Sequence, residues 1–90
     1  MEKEDIMWFI LVKLVNMKKF GGAHTALRNI TKGLPSSITA NKRGKKLIEI
    51  AVKELVGWGF ILAKPSTGEI HISLNPRKIK EIQGFIQKHK

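Results

Sequence analysis

Lys42-Arg43-Gly44-Lys45-Lys46-Leu47-Ile48-Glu49-Ile50-Ala51-Val52-Lys53-Glu54-Leu55-Val56-Gly57-Trp58-Gly59-Phe60-Ile61 is the stretch on which the fold turns. It opens on a basic cluster and passes into an apolar pattern. Leu47, Ile50, Ala51, Leu55 and Trp58 recur at i, i+3, i+4, i+8 and i+11, which places them on one stripe of a 3.6-residue helix. Lys45, Lys46, Glu49 and Lys53 face the other way. Gly57 and Gly59 stop the helix, because glycine takes the left-handed conformation of a C-terminal cap without a Cβ clash. A helix over 42–58 is therefore expected. Two strands follow, over 60–64 and 69–74, joined through Pro65-Ser66-Thr67-Gly68. Pro65 supplies the fixed φ of a turn start and Gly68 the positive φ of a turn end. In the second strand Ile70, Ile72 and Leu74 alternate with His71 and Ser73, as one half-buried face requires.

Upstream, Glu4 and Asp5 suit a helix N-terminus, Lys18 and Lys19 suit its C-terminus, and Gly21-Gly22 can cap it, so a helix is expected over 4–19. Ile6, Ile10, Leu14 and Met17 lie on one side of it, Trp8, Leu11, Val12 and Val15 on another. A helix apolar on all sides is buried on all sides. Trp8, Leu11, Val12 and Val15, with Ile82 and Ile86 near the end of the chain, are thus expected to form a homodimer interface. The β-branched and aromatic content of residues 6–12 leaves a buried strand as the competing reading there. A shorter helix is expected over 25–32, capped by the Thr25 hydroxyl and ended by Gly33-Leu34-Pro35. Ser36 to Asn41 reads as a polar connector. Asn75-Pro76 is a helix start, an N-cap side chain before a proline at the first helical position, and a last helix over 76–88 carries Ile79, Ile82 and Ile86 inward. The fold class is α+β, mainly α, in a single domain over 1–90, since ninety residues suffice for one small core.

Charge adds a direction. The net charge is +10, and no Asp or Glu occurs between Ile6 and Ile48, where Lys13, Lys18, Lys19, Arg28, Lys32, Lys42, Arg43, Lys45 and Lys46 all fall. Such a balance attracts polyanions, and a merely soluble surface usually mixes the two signs. Lys42, Arg43, Lys45 and Lys46 at a helix N-terminus would add their charge to free backbone N–H groups and the positive end of the dipole. Gly44 would let the backbone approach a phosphate, or would simply cap or fray the helix. Arg43 has the fork that matches O6 and N7 of guanine. Arg28 and Lys32 join this set from the same acid-free stretch, and Lys64 and His71 from either side of the hairpin turn.

Helix, short helix, connector, basic-tipped longer helix, hairpin and closing helix together resemble the winged-helix variant of the helix-turn-helix family. The portion that carries the resemblance is Leu47 to Leu74, where a helix, a glycine and an aliphatic strand succeed one another as in the recognition helix and wing of such regulators. The resemblance implies that helix 42–58 enters the major groove of double-stranded DNA and that the hairpin tip touches the backbone or minor groove. A transcription regulator or chromatin-associated protein follows from it, cytoplasmic and, in a prokaryote, nucleoid-associated. The segment between the second and third helices is often short in the family, whereas Lys32 to Asn41 is long here.

Several chemistries find no support in the chain. It has no cysteine, hence no disulfide or thiolate chemistry. His24 has neither His71 nor His89 near it in sequence and no acidic companion, so it reads as a hydrogen-bonded structural histidine. Gly21-Gly22 lacks the Gly-Lys-Ser/Thr ending of a phosphate loop, and Ser36-Ser37 lacks a local base. No catalytic residue, metal, cofactor or small-molecule substrate is expected. The run Ile6 to Val12 falls short of the ~20 residues a bilayer span needs, and the acidic start of the chain does not suit a signal peptide. Trp8 and Trp58 fit core or interface better than base stacking. Binding of RNA, as in a ribosome-associated winged helix, and protein interaction through the first and last helices stand as the alternatives to DNA.

Overall fold

Glu2 and Asp5 begin the first helix of the computed structural model, which describes residues 1–89. The Glu2 N–H donates to Asp5 Oδ2 at 2.7 Å, one half of a capping box, and α1 runs over Lys3–Asn16. The helix stops short of residue 19 because Lys18 takes φ +56° and the Lys19 N–H returns to the Leu14 carbonyl at 3.0 Å. A lysine thus occupies the left-handed position expected of glycine. Gly21 and Gly22 serve a different purpose. The Leu74 N–H donates to the Lys19 carbonyl at 2.8 Å and the Gly21 N–H to the Leu74 carbonyl at 2.9 Å, which lays this loop along the last strand.

Residues 25–32 are not one helix. Thr25–Ala26 form a short strand, β1, and α2 is confined to Leu27–Thr31. The free edge of a later strand draws Thr25 and Ala26 into its ladder, opposite Ile72 and His71, and the Thr25 hydroxyl accepts from Asn29 Nδ2 at 3.2 Å instead of capping a helix. The connector contains a single helical turn, α3, over Ser36–Thr39.

Asn41 is the N-cap of α4, Lys42–Gly57, its side chain accepting from the Gly44 N–H at 2.7 Å. The buried residues of α4 are Gly44, Ile48, Ala51, Val52 and Leu55. This corrects the expected stripe: Ala51 and Leu55 belong to it, Leu47 is half-buried, and Ile50 and Trp58 are 40% and 41% exposed. The cause is α3. A Cβ on Gly44 would overlap the Ile38 carbonyl, so the absence of a side chain lets α3 lie against α4 and turns the 44, 48, 51, 55 line inward. Trp58 instead meets Phe60 and Phe85 edge-on, with ring centroids 5.3 and 5.7 Å away.

β2 spans Ile61–Ser66 and β3 spans Glu69–Leu74. The first strand is displaced from 60–64 because the turn is tighter than Pro65 to Gly68. Thr67 and Gly68, at φ +50° and +78°, form a two-residue turn with the paired positive φ values of type I′, and Pro65 sits inside β2, an edge strand. The sheet is antiparallel in the order β1-β3-β2. Its inner face gives Ile61, Ile72 and Leu74 to the core; by alternation Leu62, Lys64, His71 and Ser73 belong to the other face. Asn75 accepts from the Arg77 N–H at 3.0 Å, and Pro76–Lys78 form a 3₁₀ turn before α5, Ile79–His89. Together these elements make an α+β, mainly helical fold. One hydrophobic cluster joins α1, α2, α4, the sheet and α5.

α5 resolves the apolar excess of α1. Trp8 Nε1–H donates to the Ile86 carbonyl at 3.1 Å, and His89 Nε2 lies 3.1 Å from Asp5 Oδ1. On the other side Lys3 Nζ meets Glu54 Oε2 of α4 at 2.8 Å. Leu11 and Ile82, expected at a dimer interface, are 0% and 1% exposed inside a single chain and have no surface left for a partner. Trp8, Val12, Val15 and Ile86 are half-buried. Residues 6–12 are helical throughout. Among the described residues no helix is long and apolar enough to cross a membrane.

Candidate nucleic-acid interface

The first two turns of α4 present Lys42, Arg43, Lys45 and Lys46 as exposed side chains. Lys46 lies 3.7 Å from Glu49, which also meets Lys53 at 3.5 Å. Among the described residues Lys42, Arg43 and Lys45 form no ion pair. Their neighbours in sequence are equally basic, so these charges remain uncompensated. Two expectations about this tip are corrected. Gly44 is buried against Ile38, so it serves a helix–helix contact and not the approach of a phosphate. Its N–H is bonded to Asn41, so one of the backbone donors counted on for an anion is already satisfied. What the tip offers to an anion is its exposed side chains.

The other expected residues fall into separate groups. Arg28, in the first turn of α2, pairs through Nε with Glu69 Oε1 at the start of β3, which neutralises it in part and ties α2 to the hairpin. Lys32 is exposed just past the end of α2, beside a hollow shared with Lys13 and Asn29. Lys64 and His71 are direct partners in the β2–β3 ladder. Among the described residues no hydrogen bond or ion pair joins the α4 tip to the hairpin.

One constellation was hidden from the sequence. His24 and His71, 47 residues apart, meet with Nδ1 atoms 2.8 Å from each other and ring planes at 67°. The loop bonded to Leu74 and the pairing of Thr25 with Ile72 carry His24 there. One nitrogen must donate and the other accept. His71 Nε2 is 3.7 Å from Glu69 Oε2, an arrangement that favours the proton on that nitrogen and makes His24 the Nδ1–H donor. Burial, then the positive charges of Lys64, His71 and Lys19, pull the His24 pKa below its ordinary value of 6.5. Among the described residues no three His, Cys, Asp or Glu side chains converge as metal ligands would. The only trace of this pair in the sequence was two histidines near the ends of segments that strand pairing brings together, and strand pairing is not local.

Comparison with protein families, curated proteins and solved structures returns no match to this chain. The functional reading rests on its own residues.

Proposed function

We propose that the chain is a double-stranded DNA-binding module of the winged-helix type, acting in transcription regulation or chromatin organisation. The observation that carries this reading is the α4 tip: four exposed cations in five residues, three of them unpaired, on the polar side of a helix whose opposite side is locked into the core. The order α1, β1, α2, α4, β2, β3 supports it, since a winged helix uses such a helix in the major groove and such a hairpin beside it. The long segment after α2 contains α3, which supplies the contact that orients α4. Lys42, Lys45 and Lys46 would neutralise phosphates, Arg43 would reach a base edge, and Lys64 at the hairpin would add a weaker backbone contact.

A fluorescence-anisotropy titration with duplex DNA, duplex RNA and single strands at several salt concentrations tests the proposal. With about five phosphate contacts, log K against log salt has an expected slope of about −4.5 on B-DNA. Replacing Lys42, Arg43, Lys45 and Lys46 together by Ala should remove about three units of that slope, one for each phosphate-contacting lysine, while the circular dichroism spectrum stays unchanged. A slope near zero, tighter binding to duplex RNA, or unchanged affinity of the folded quadruple variant would each overturn it.

A further inference from the structure

The outer face of the sheet holds a second concentration of basic groups. Lys64 of β2, His71 of β3 and His24 of the preceding loop border a hollow of about 240 Å³ whose lining is completed by Gly21, Gly22, Ser73 and the apolar Leu62 and Ala63. The charges bearing on His24 are all positive: Lys64, His71 and Lys19. One carboxylate is nearby, that of Glu69, which lies at the far nitrogen of His71 and is itself bridged by Arg28. A hollow whose lining combines one permanent cation, Lys64, with two imidazoles and glycine backbone can take a small oxyanion and repels a cation. A metal ion between the rings is disfavoured on angle, since two Zn–N bonds of about 2.0 Å drawn to nitrogens 2.8 Å apart would meet at about 90°, far from the tetrahedral geometry of zinc, and among the described residues no three His, Cys, Asp or Glu side chains converge.

We propose that this hollow binds a phosphate-type oxyanion, held by Lys64 and the His24–His71 pair, and that the anion brings one proton with it.

The proton follows from the geometry of the pair. Two neutral imidazoles carry two protons on four nitrogens, one of them in the Nδ1–H···Nδ1 bond. A third proton can be added without disturbing the 2.8 Å contact, because it goes to the remaining Nε2 and leaves the central bond intact. The pair is then a monocation with both Nε2 atoms as donors. A fourth proton would set two N–H groups against each other and break the contact. Without an anion the third proton is opposed by the burial and the neighbouring cations that lower His24; an anion in the hollow reverses that field. Anion affinity therefore rises as the pH falls and His24 Nε2 takes up the third proton.

The oxyanion has two available sources, a free phosphate or phosphate monoester and a phosphate of the DNA backbone. Inorganic phosphate is the probe, with sulfate, whose charge is the same at both pH values, run beside it for the pH comparison; each is titrated into the full chain at constant ionic strength while the ring Cε1–H signals of the three histidines are followed by NMR. The expected result is saturable movement of the His24 and His71 signals, little movement of His89, and affinity about fivefold or more tighter at about pH 6 than at about pH 8. His24→Gln should abolish the saturable shift of His71, and Lys64→Gln, an exposed strand position, should weaken it if the first variant does not fold. If all three histidines respond alike, if none responds, or if the affinity ignores pH, the proposal is wrong. Duplex binding by His24→Gln then separates the sources: weakened binding marks a DNA phosphate, unchanged binding a free one. The phosphate titration needs no DNA, so it stands or fails independently of the α4 reading.

Discussion

α1 and α4 are similar in length, 14 and 16 residues, and lie against each other, yet they are used in opposite ways. α1 is apolar around its circumference and is covered by α4 and the sheet on one side and by α5 on the other. α4 is buried along one line, and its first two turns are cationic and open, while further along it Ile50 and Val56 are exposed beside Glu49. The core consumes α1 and leaves α4 something to offer. What a helix contributes to recognition is the surface that remains after its neighbours have been satisfied, and apolar abundance alone does not reveal it.

The contrast can be broken most directly by placing a charge on each helix. Leu11→Glu sets a carboxylate where no solvent reaches and should cost on the order of 4 kcal/mol or more, enough to unfold a small domain. Ile50→Glu, at a site 40% exposed on α4, should change stability by less than about 0.5 kcal/mol. Urea titrations of both proteins decide the point, and a folded Leu11→Glu monomer would show that α1 does have a second free face. A subtler variant concerns how α4 is oriented. Gly44→Ala gains about 1 kcal/mol of helix propensity but forces a methyl group into the Ile38 carbonyl, so a net loss of about 2 kcal/mol is expected. If the variant is more stable than the wild type, α3 does not set the rotation of α4. The smallest effect tests the closure of α1 by α5. Asp5 is held below its ordinary value of 3.8 by the Glu2 N–H and then by His89. Between the two values the unfolded chain binds more protons, so this contribution is full above pH 3.8 and is lost as the pH falls through the folded value. Asp5→Asn should flatten that part of a plot of denaturation midpoint against pH and His89→Ala should flatten it less; an unchanged slope in the second variant would leave the Asp5–His89 contact without energetic weight.

Most elements were legible in the sequence because their causes are local. Asn75-Pro76 starts a helical segment, Gly59 at φ +76° lies just past the end of α4, and the alternation of Ile70, Ile72 and Leu74 marks β3. Features decided at a distance were misread. Thr25 looks like a helix cap until the edge of β3 claims it, Gly44 looks like a phosphate contact until Ile38 occupies the space, and Leu47, Ile50 and Trp58 fit a 3.6-residue period about as well as the line that faces inward. The apolar surplus of α1 was read correctly as surface needing a cover, but the cover is α5 in the same chain. Of the candidate site, the cations of the α4 tip were visible as charge without carboxylates, whereas the His24–His71 contact depends on a pairing that no sequence spacing encodes.

The closure of α1 by α5 also sets an order of events during synthesis. α1 is made first, and its Trp8 side stays uncovered until residues 79–89 have joined it, because the Trp8–Ile86 and Asp5–His89 contacts span 78 and 84 residues. Until then a nascent chain carries a helix with one uncovered apolar side, while the local α3–α4 pair, the β2–β3 hairpin and the packing of α1 on α4 can form without α5. Contacts of such long separation slow folding and prolong the exposure of apolar surface. This fold should thus be completed cooperatively only once α5 is available, and fragments lacking α5 should aggregate.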